Sequence, residues 1–438
     1  MTLSVTGVSA PAKRFLATLL PIALLSAPLP LLAQPAGSGA GDEPSYDQLP
    51  LEDIQTFAEV FERIKRAYVE EVDDSTLLRN AMRGMLSELD PHSAYLDEEE
   101  YQSLRESTQG EFGGIGIEVG TENGQLMVIT PIDDTPASRA GLLSRDIIVA
   151  IDGTPTDNMS LQEAVTLMRG EPGTDLRISV LRSGEDSPRE FILTREVIRS
   201  ESVKHELLEP GYGYLRVSQF QSRTPDQARE ALERMAREQP LEGLILDLRN
   251  NPGGVLQAAV GIADLFLDEG LIVYTEGRLS DTEMSFSASP TTPAADVPLV
   301  VLINGGSASA AEIVAGALQD QRRGVIMGTD SFGKGSVQQI MPLGNGEGLK
   351  LTTALYYTPN GRSIQAQGIE PDVDVVRGRL EVAEGRREIR EADLEGHLSA
   401  QQAPRDRQEM AERLLNDYQL SEALNLLKAL NVVDRQRR

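Results

Sequence analysis

Two nearly continuous apolar runs constrain the fold of this chain more than any other feature. Residues 243–248 read Gly-Leu-Ile-Leu-Asp-Leu, and residues 298–303 read Pro-Leu-Val-Val-Leu-Ile. Strands of this kind are buried on both faces, as in a parallel sheet. A turn rich in Asn and Gly follows each run, and segments with helical spacing come next, at residues 255–267 and 309–319. The repeated strand–loop–helix order predicts an α/β layered core with right-handed crossovers.

Further elements extend this core on both sides. Strands are predicted at residues 214–217 and 324–327, and a helix at residues 225–237. A hairpin is predicted between residues 349–357 and 363–365, because Pro359-Asn360-Gly361 lies between them and favours a turn.

Residues 111–197 form a different unit, built from short strands and two helices. A glycine turn, Gly113-Gly114-Ile115-Gly116, precedes its first long strand, and the stretch from Ala140 to Gly153 reads AGLLSRDIIVAIDG. This order resembles a PDZ domain. The resemblance implies that Gly114, Ile115 and Gly116 present backbone N–H groups to the terminal carboxylate of a peptide that adds to the sheet edge. The alternative is that these glycines only make a tight turn.

The N-terminus has the features of an export signal. Lys13 and Arg14 precede an apolar run that continues to about Ala33. We expect residues 1–33 to be a signal peptide, with an uncleaved membrane anchor as the alternative. Residues 34–45 have the composition of a linker, and residues 46–110 are predicted to be helical.

The composition excludes several kinds of chemistry. With 41 Lys and Arg against 68 Asp and Glu, the net charge is −27, so a nucleic acid partner is not expected. The absence of cysteine excludes disulfides, zinc–thiolate sites and cysteine nucleophiles. His92, His205 and His397 have no metal-ligand spacing, so we expect no metal and no cofactor, and we assign all three to structural or surface roles.

Residues 328–334 have the spacing of a phosphate-binding P-loop, but the next residue is Gly335, where Ser or Thr would hold Mg²⁺. The segment after Lys334 also reads more like a strand than a helix. Nucleotide binding is therefore not expected.

Elimination leaves serine and lysine as a candidate catalytic pair, and the alternative for Lys334 is a surface lysine in a glycine turn. A lysine acts as a base only when it is neutral, so its pKa must fall from about 10.4 to about 7 to 8, which costs roughly 4 kcal/mol. Lys334 has uncharged neighbours, among them Gly333 and Gly335, that suit such a desolvated site. Gln338 lies four residues on, which in a strand is the same face, and its amide oxygen could orient the amine without adding charge.

From about residue 51 to residue 373, the chain resembles the carboxyl-terminal processing peptidases, also called tail-specific proteases. The matching stretches are Leu89–Ser93, Gly113–Gly116, Asp247–Gly254, Ser307–Ile313, Gly333–Gly335 and Pro359–Arg362. The resemblance implies a multidomain α/β protein. Its parts are a crotonase-like α/β protease core (198–378), an inserted PDZ domain (111–197), and helical N- and C-terminal segments. The last segment, residues 379–438, is charged, and its helices could pack on the body or on another subunit.

Carried over by residue, the resemblance implies Ser309 as nucleophile, Lys334 as base and Gln338 as the residue that positions the lysine. Ser309 at a predicted helix start agrees with this, since N–H groups there favour a developing anion. We expect the N–H groups of Ala310 and Gly253 to form the oxyanion hole. Ser307 stays an alternative nucleophile.

The expected function is that of a periplasmic endopeptidase that captures exposed protein C-termini and cleaves through an acyl-enzyme. Arg169, at the end of a PDZ helix, is a candidate for coupling peptide binding to catalysis, although a solvated surface arginine explains it equally well. A homo-oligomer is expected, and the resemblance also implies an envelope lipoprotein adaptor. The alternatives are an enzyme that is inactive without an adaptor and a PDZ scaffold without catalysis.

Overall fold

The computed structural model describes residues 50–122, 124–290, 292–294, 296–380 and 414–437. The predicted signal peptide, the linker at residues 34–45 and His397 lie outside the described residues. The chain divides into two compact units, Met1–Asp73 and Asp74–Arg438. Within the described ranges, no helix has the length and apolar character needed to cross a membrane.

The described part of the first unit contains one helix, α1 (Leu51–Ala67). Acidic residues in its first turn and basic residues in its last turn complement the helix dipole. Its apolar residues recur at helical spacing, yet none is buried; the exposed set includes Ile54, Phe57, Val60 and Ile64.

The second unit begins with α2 (Asp74–Ser87), β1 (Ala94–Leu96) and α3 (Glu98–Gln109). Asp97 begins α3 through a capping box, in which its side chain accepts from the Glu100 N–H at 3.0 Å.

The PDZ-like unit follows, and it has a hydrophobic core of its own. Its elements are β2 (Glu111–Gly114), β3 (Ile117–Glu122), β4 (Gln125–Pro131), α4 (Pro136–Ala140), β5 (Ile147–Ile151), β6 (Thr154–Pro155), α5 (Leu161–Met168), β7 (Asp175–Leu181), β8 (Arg189–Thr194) and β9 (Glu196–Arg199). The sheet order is β3-β4-β5-β7-β8, with β6 on β5, so β3 is an edge strand. Strands β2 and β9 pair with each other as a separate ribbon that carries the chain into and out of this unit.

The remaining elements build the core. They are β10 (Val203–Glu209), β11 (Tyr212–Val217), α6 (Thr224–Glu238), β12 (Gly243–Asp247), α7 (Leu256–Asp264), β13 (Leu271–Gly277), β14 (Met284–Ser287), β15 (Leu299–Ile303), α8 (Ala310–Asp320), β16 (Val325–Gly328), β17 (Ser336–Pro342), β18 (Gly348–Tyr357), β19 (Val373–Asp374) and α9 (Tyr418–Arg437). The main sheet has the order β10-β11-β12-β15-β16-β19, and it is parallel from β11 onward.

Both faces of the main sheet are covered, which explains the two continuous apolar runs. Leu244 and Leu246 of β12 pack with α6, α7 and α8, whereas Ile245 packs on the other face with Leu424 and Leu427 of α9. The predicted strands in these two runs are confirmed as β12 and β15. The C-terminal helix therefore packs on the core of its own chain.

The predicted hairpin between residues 349–357 and 363–365 is wrong. Strand β18 pairs with β1 and β13 along one edge and with β17 along most of the other, and residues 363–365 do not form a second strand beside it. Only a single bridge joins Tyr357 to Ser363. Residues after it form a turn in which Ile364 accepts backbone hydrogen bonds from Gln367 and Gly368.

Candidate active site

Ser309 stands between the end of β15 and the start of α8, and its side chain is half-buried. The helix was predicted to begin at Ser309, but it begins at Ala310, and Ser309 is the preceding cap residue. Its backbone has φ 53° and ψ −114°, a conformation that an L-residue adopts only under strain. Such a turn between strand and helix presents a side chain at the carboxyl ends of the strands, where an attacking hydroxyl can reach a substrate.

The alternative nucleophile, Ser307, is fully buried. Its hydroxyl donates to the carbonyl of Leu248 at 2.7 Å and accepts from the N–H of Asn304 at 3.0 Å. These bonds hold the loop between β15 and α8 in place. The Ser307 hydroxyl is thus occupied by loop structure.

Glu312 in the first turn of α8 joins the two predicted catalytic residues. Its carboxylate is completely buried. Oε2 accepts from the backbone N–H of Ser309 at 2.7 Å and of Lys334 at 2.9 Å. Oε1 accepts from Ser331 Oγ at 2.5 Å and from the Gly333 N–H at 2.6 Å. One side chain therefore fixes the backbone at both positions.

Tyr356 of β18 is a second link between these positions. Its side chain is buried, and its hydroxyl donates to the carbonyl oxygen of Lys334. Burial and the charge of Glu312 raise the pKa of this hydroxyl well above its ordinary value, and a hydrogen-bonding interaction with the Ser309 side chain opposes the rise. The Tyr356 hydroxyl is thus in reach of both the Ser309 side chain and the Lys334 backbone.

Lys334 lies in the segment between β16 and β17 and is half-buried. Its pKa is lowered, first by burial and then by the positive charge of Lys350, while Asp90 and Glu312 oppose the change. Desolvation is the cause expected from the sequence. The predicted close packing is also present, because a Cβ added to Gly335 would lie 2.5 Å from the backbone nitrogen of Gln365.

Gln338 lies in β17 directly after a bulge between Val337 and Gln338. Its amide Nε2 donates to Ser336 Oγ at 3.0 Å and to Thr352 Oγ1 at 3.2 Å. Lys334 precedes the strand, and the bulge breaks the alternation on which the same-face prediction rested. Within the described residues no hydrogen bond joins the side chains of Gln338 and Lys334, and the amide oxygen Oε1 is not engaged.

Of the two N–H groups predicted to form the oxyanion hole, one is free within the described residues and the other already donates a hydrogen bond. The N–H of Ala310 donates to no acceptor in the described part of the chain. The N–H of Gly253 donates to Oδ1 of the fully buried Asn251 at 2.9 Å. Gly253 still lies against the nucleophile loop, because a Cβ on it would be 2.8 Å from both the carbonyl of Ala308 and the Cβ of Ser309.

A loop that was given no catalytic role, residues 90–93, reaches this site. The Asp90 carboxylate accepts from the N–H groups of His92 and Ser93, from Ser93 Oγ and from Thr352 Oγ1. Burial opposes its ionisation, but these hydrogen bonds prevail and lower its pKa to about 2. His92 was assigned to a structural or surface role. Its pKa is lowered by burial and by the positive charge of Lys334.

In the PDZ-like unit, Gly114 is the last residue of β2 and pairs with Glu196. Ile115 is buried, and the N–H groups of Ile115 and Gly116 donate to no acceptor among the residues described. Gly116 has φ 76°, and a Cβ there would collide with Thr135 at 2.3 Å, so only glycine fits. Two adjacent free N–H groups beside the edge strand β3 are able to hold a carboxylate.

Arg169 is the cap residue at the end of α5. Its guanidinium stands 4.7 Å from the centre of the Phe112 ring and 3.4 Å from a carboxylate oxygen of Glu106. These partners belong to β2 and α3.

Comparisons with known proteins identify the family. Residues 211–375 match peptidase family S41, residues 127–182 match the PDZ domain, and residues 35–100 match the activating protease CtpB N-terminal domain. The chain is 44% identical over 419 residues to a carboxy-terminal-processing protease of Bartonella bacilliformis, covering 92% of this chain and 93% of that protein. The chain belongs to the carboxyl-terminal processing proteases. This confirms the resemblance expected from the sequence.

A second relative of this protease is the carboxyl-terminal-processing protease of Synechocystis sp., 43% identical over 69% of this chain and 72% of that protein. Among solved structures, the photosystem II D1 C-terminal processing protease is 32% identical, with coverage of 74% of this chain and 92% of that one and a TM-score of 0.44.

Several residues of this protease site were not given roles from the sequence. Glu312 and Asp90 were present in recognised stretches, and Tyr356 was not singled out. The signal for Glu312 was its position three residues after Ser309, because an acidic residue there completes a helix cap. Nothing in the local sequence indicated that Asp90 would meet Thr352.

Proposed function

We propose that this carboxyl-terminal processing protease is an exported serine endopeptidase that cleaves proteins with a Ser309/Lys334 dyad. The observation that carries the proposal is the shared acceptor, since Glu312 Oε2 binds the backbone N–H of both residues. The lowered pKa of Lys334 supports the same assignment. We also propose that the core is crotonase-like and that helical segments flank it at both ends.

In the proposed reaction, neutral Lys334 Nζ accepts the proton of Ser309 Oγ as that oxygen attacks a peptide carbonyl carbon. The N–H of Ala310 stabilises the oxyanion. The C–N bond then breaks, and the leaving amine takes the proton from the Lys334 ammonium. Water, deprotonated by Lys334, attacks the Ser309 ester and releases the acyl product.

Gln338 is proposed to aim the amine of Lys334, since its Oε1 is left free by the two bonds of its Nε2. Substrate capture is proposed at the edge strand β3, with the peptide carboxylate on the N–H groups of Ile115 and Gly116 and with Gly114 shaping the approach. The substrates would be proteins with exposed C-termini. Arg169 is proposed to couple peptide binding to catalysis. The contacts that support this are those of its guanidinium with Glu106 and Phe112.

The experiment follows cleavage of an unfolded protein with an apolar C-terminus. We expect Ser309→Ala to abolish cleavage and Lys334→Ala to lower kcat by about 10²- to 10⁴-fold. Ser307→Ala tests whether Ser307 is the nucleophile instead of Ser309, and this variant should retain a measurable rate of cleavage. Wild-type rates in Ser309→Ala or Lys334→Ala would rule out the dyad.

One observation favours a second candidate, an enzyme that works only with an adaptor. The N–H of Gly253 is held by Asn251, so one expected oxyanion donor is withheld from the substrate. An envelope lipoprotein that rearranges this loop would complete the site. Cleavage by the purified protein alone would exclude the requirement.

Periplasmic localisation and self-association are also proposals. Cell fractionation tests the first. The exposed apolar face of α1 supports a homo-oligomer, since a second copy would cover it. Light scattering of the wild type and of Phe57→Glu tests the second, and an unchanged mass in the variant would exclude α1 as the contact.

A further inference from the structure

A chain of side-chain hydrogen bonds runs from the loop before β1 to the amide of Gln338. Thr352 Oγ1 donates to Asp90 Oδ1 at 3.1 Å. Gln338 Nε2 donates to Thr352 Oγ1 at 3.2 Å and to Ser336 Oγ at 3.0 Å. Thr352 lies directly opposite Gln338 in the pairing of β17 with β18. The Asp90 carboxylate is thus connected to the residue proposed to aim Lys334.

The chemistry of these groups fixes the donor and the acceptor in each of these hydrogen bonds. An ionised carboxylate only accepts hydrogen bonds, so the hydroxyl of Thr352 must donate to Asp90. Its lone pairs then face Gln338 and accept from the amide N–H. With both amide hydrogens used, on Thr352 and Ser336, only the oxygen Oε1 of Gln338 remains to meet a donor.

The loop that carries Asp90 is itself held in place. Ser93 Oγ donates to Asp90 Oδ2 at 2.6 Å and accepts from the backbone N–H of Thr352 at 3.0 Å. The N–H groups of His92 and Ser93 donate to Asp90 Oδ1 at 2.7 and 2.9 Å. Asp90 therefore cannot turn away from Thr352 without losing several bonds.

We propose that Asp90 is a positioning residue of this protease, which orients the Gln338 amide through Thr352 so that the amide oxygen faces the amine of Lys334. The proposal rests on the proposed Ser/Lys function. An amide turned the other way would present N–H groups to Lys334 and could not accept its hydrogen bond.

The test uses the full-length protein and compares kcat, KM and pH profiles of Asp90→Ala, Asp90→Asn, Thr352→Val and Thr352→Ser. Asp90→Ala removes the acceptor of the Thr352 hydroxyl, so the hydroxyl and the Gln338 amide are free to turn. Asp90→Asn keeps an oxygen at the position of Oδ1, where two backbone N–H groups and Thr352 donate, so it removes the charge and leaves the hydrogen-bond direction in place. Asp90→Ala and Thr352→Val should each lower kcat by about tenfold to a hundredfold with little change in KM. Thr352→Ser keeps the hydroxyl and should retain most of the rate. If Asp90→Ala fails to fold, Thr352→Val decides, because valine suits a strand.

The pH profiles separate orientation from charge. The titratable groups whose charge couples to Lys334 are Lys350 on β18, Glu312 on α8, and Asp90 and His92 in the loop. Asp90→Asn removes a charge that favours protonated Lys334, so the acidic limb of kcat/KM should move to lower pH. Thr352→Val leaves the charge in place, so its limb should stay while kcat falls.

A double-mutant comparison decides whether Asp90 acts through Gln338. The variant Asp90→Ala/Gln338→Ala should be no slower than Gln338→Ala alone. Effects that multiply, or a wild-type kcat in Asp90→Ala, would overturn the proposal. Asp97→Asn removes a charge from the cap of α3 in the same segment and should leave kcat within about twofold. Ser309→Ala and Lys334→Ala are measured alongside. Cleavage at the wild-type rate in either contradicts the proposed function, whereas loss in both with an unaffected Asp90→Ala contradicts only this inference.

Discussion

The backbone N–H groups of Ser309 and Lys334 donate to one oxygen atom, Oε2 of Glu312, at 2.7 and 2.9 Å. The two residues come from different parts of the core, one before α8 and the other before β17. Because the shared carboxylate is fully buried, their relative position cannot change without leaving buried donors unpaired.

Glu312→Gln should disturb this arrangement although it preserves size. All four partners of the carboxylate are donors, so an amide NH₂ must face two of them wherever it turns. We expect the free energy of unfolding to fall by about 2 to 4 kcal/mol and kcat by about tenfold to a hundredfold. Urea unfolding and cleavage kinetics measure both. Glu230→Gln, on the exposed side of α6, is the control, and equal behaviour of the two variants would contradict the prediction.

Substitution of Ser309 should reveal the strain in its backbone. With φ at 53°, glycine avoids a strain that any residue with a Cβ carries at this position, alanine included. We expect Ser309→Gly to be about 1 kcal/mol more stable than Ser309→Ala, and both to be inactive. The two urea midpoints test this, and a more stable alanine variant would show that the turn is relaxed.

Gly253→Ala should be far more harmful than Gly305→Ala. A Cβ at Gly253 would lie 2.8 Å from the Ala308 carbonyl at φ 99°, whereas the nearest atom to a Cβ at Gly305 is 3.9 Å away. We expect Gly253→Ala to lose at least about tenfold in kcat by displacing the nucleophile loop. Gly305→Ala should keep nearly the wild-type rate. Similar rates in the two variants would show that the loop adjusts freely.

Removal of the Lys350 charge should shift the pH dependence of cleavage. Lys350 lowers the pKa of Lys334, so Lys350→Gln should raise it. The rate rises with pH as the base loses its proton, and the acidic limb of kcat/KM should therefore move to higher pH. Activity near pH 7 should fall and recover under alkaline conditions. Lys428→Gln, at the ion pair of α9 with Glu209, should leave the limb in place.

Acidification should expose the stabilising role of Asp90. Its pKa is about 2 in the folded protein, against an ordinary value of 3.8. The contribution of the ionised Asp90 carboxylate to the free energy of unfolding is fully present above pH 3.8, and it is lost as the pH falls through about 2. The free energy of unfolding of Asp90→Asn should accordingly depend less on pH in this window than that of the wild type. Equal pH dependence in urea titrations would contradict this.

Local patterns in the sequence were sufficient for the strands β11, β12, β15 and β16 and for the helices α6, α7 and α8. They were not sufficient for contacts that depend on pairing. The bulge at Gln338 arises from its register with β18, so strand alternation alone does not determine where this side chain lies relative to Lys334. Asp90 and Thr352 are 262 residues apart in the chain, and their contact follows from the pairing of β1 with β18.

The apolar runs likewise indicated that both faces of β12 are buried, but not what covers each one. Helix α9 covers one face, and Arg249 beside β12 binds Asp417 at 2.8 Å just before that helix. A single sequence does not distinguish this contact from one with another subunit. Nor could it show that Asn251 would take the N–H of Gly253.

The paired strands β2 and β9 have a consequence for how such a protease can change over evolution. Because the two connections of the PDZ domain run side by side, its first and last residues are neighbours in space. A segment with adjacent ends can be exchanged for another of different length while the core strands keep their register. The PDZ domain and the protease core can therefore change independently of each other in this architecture.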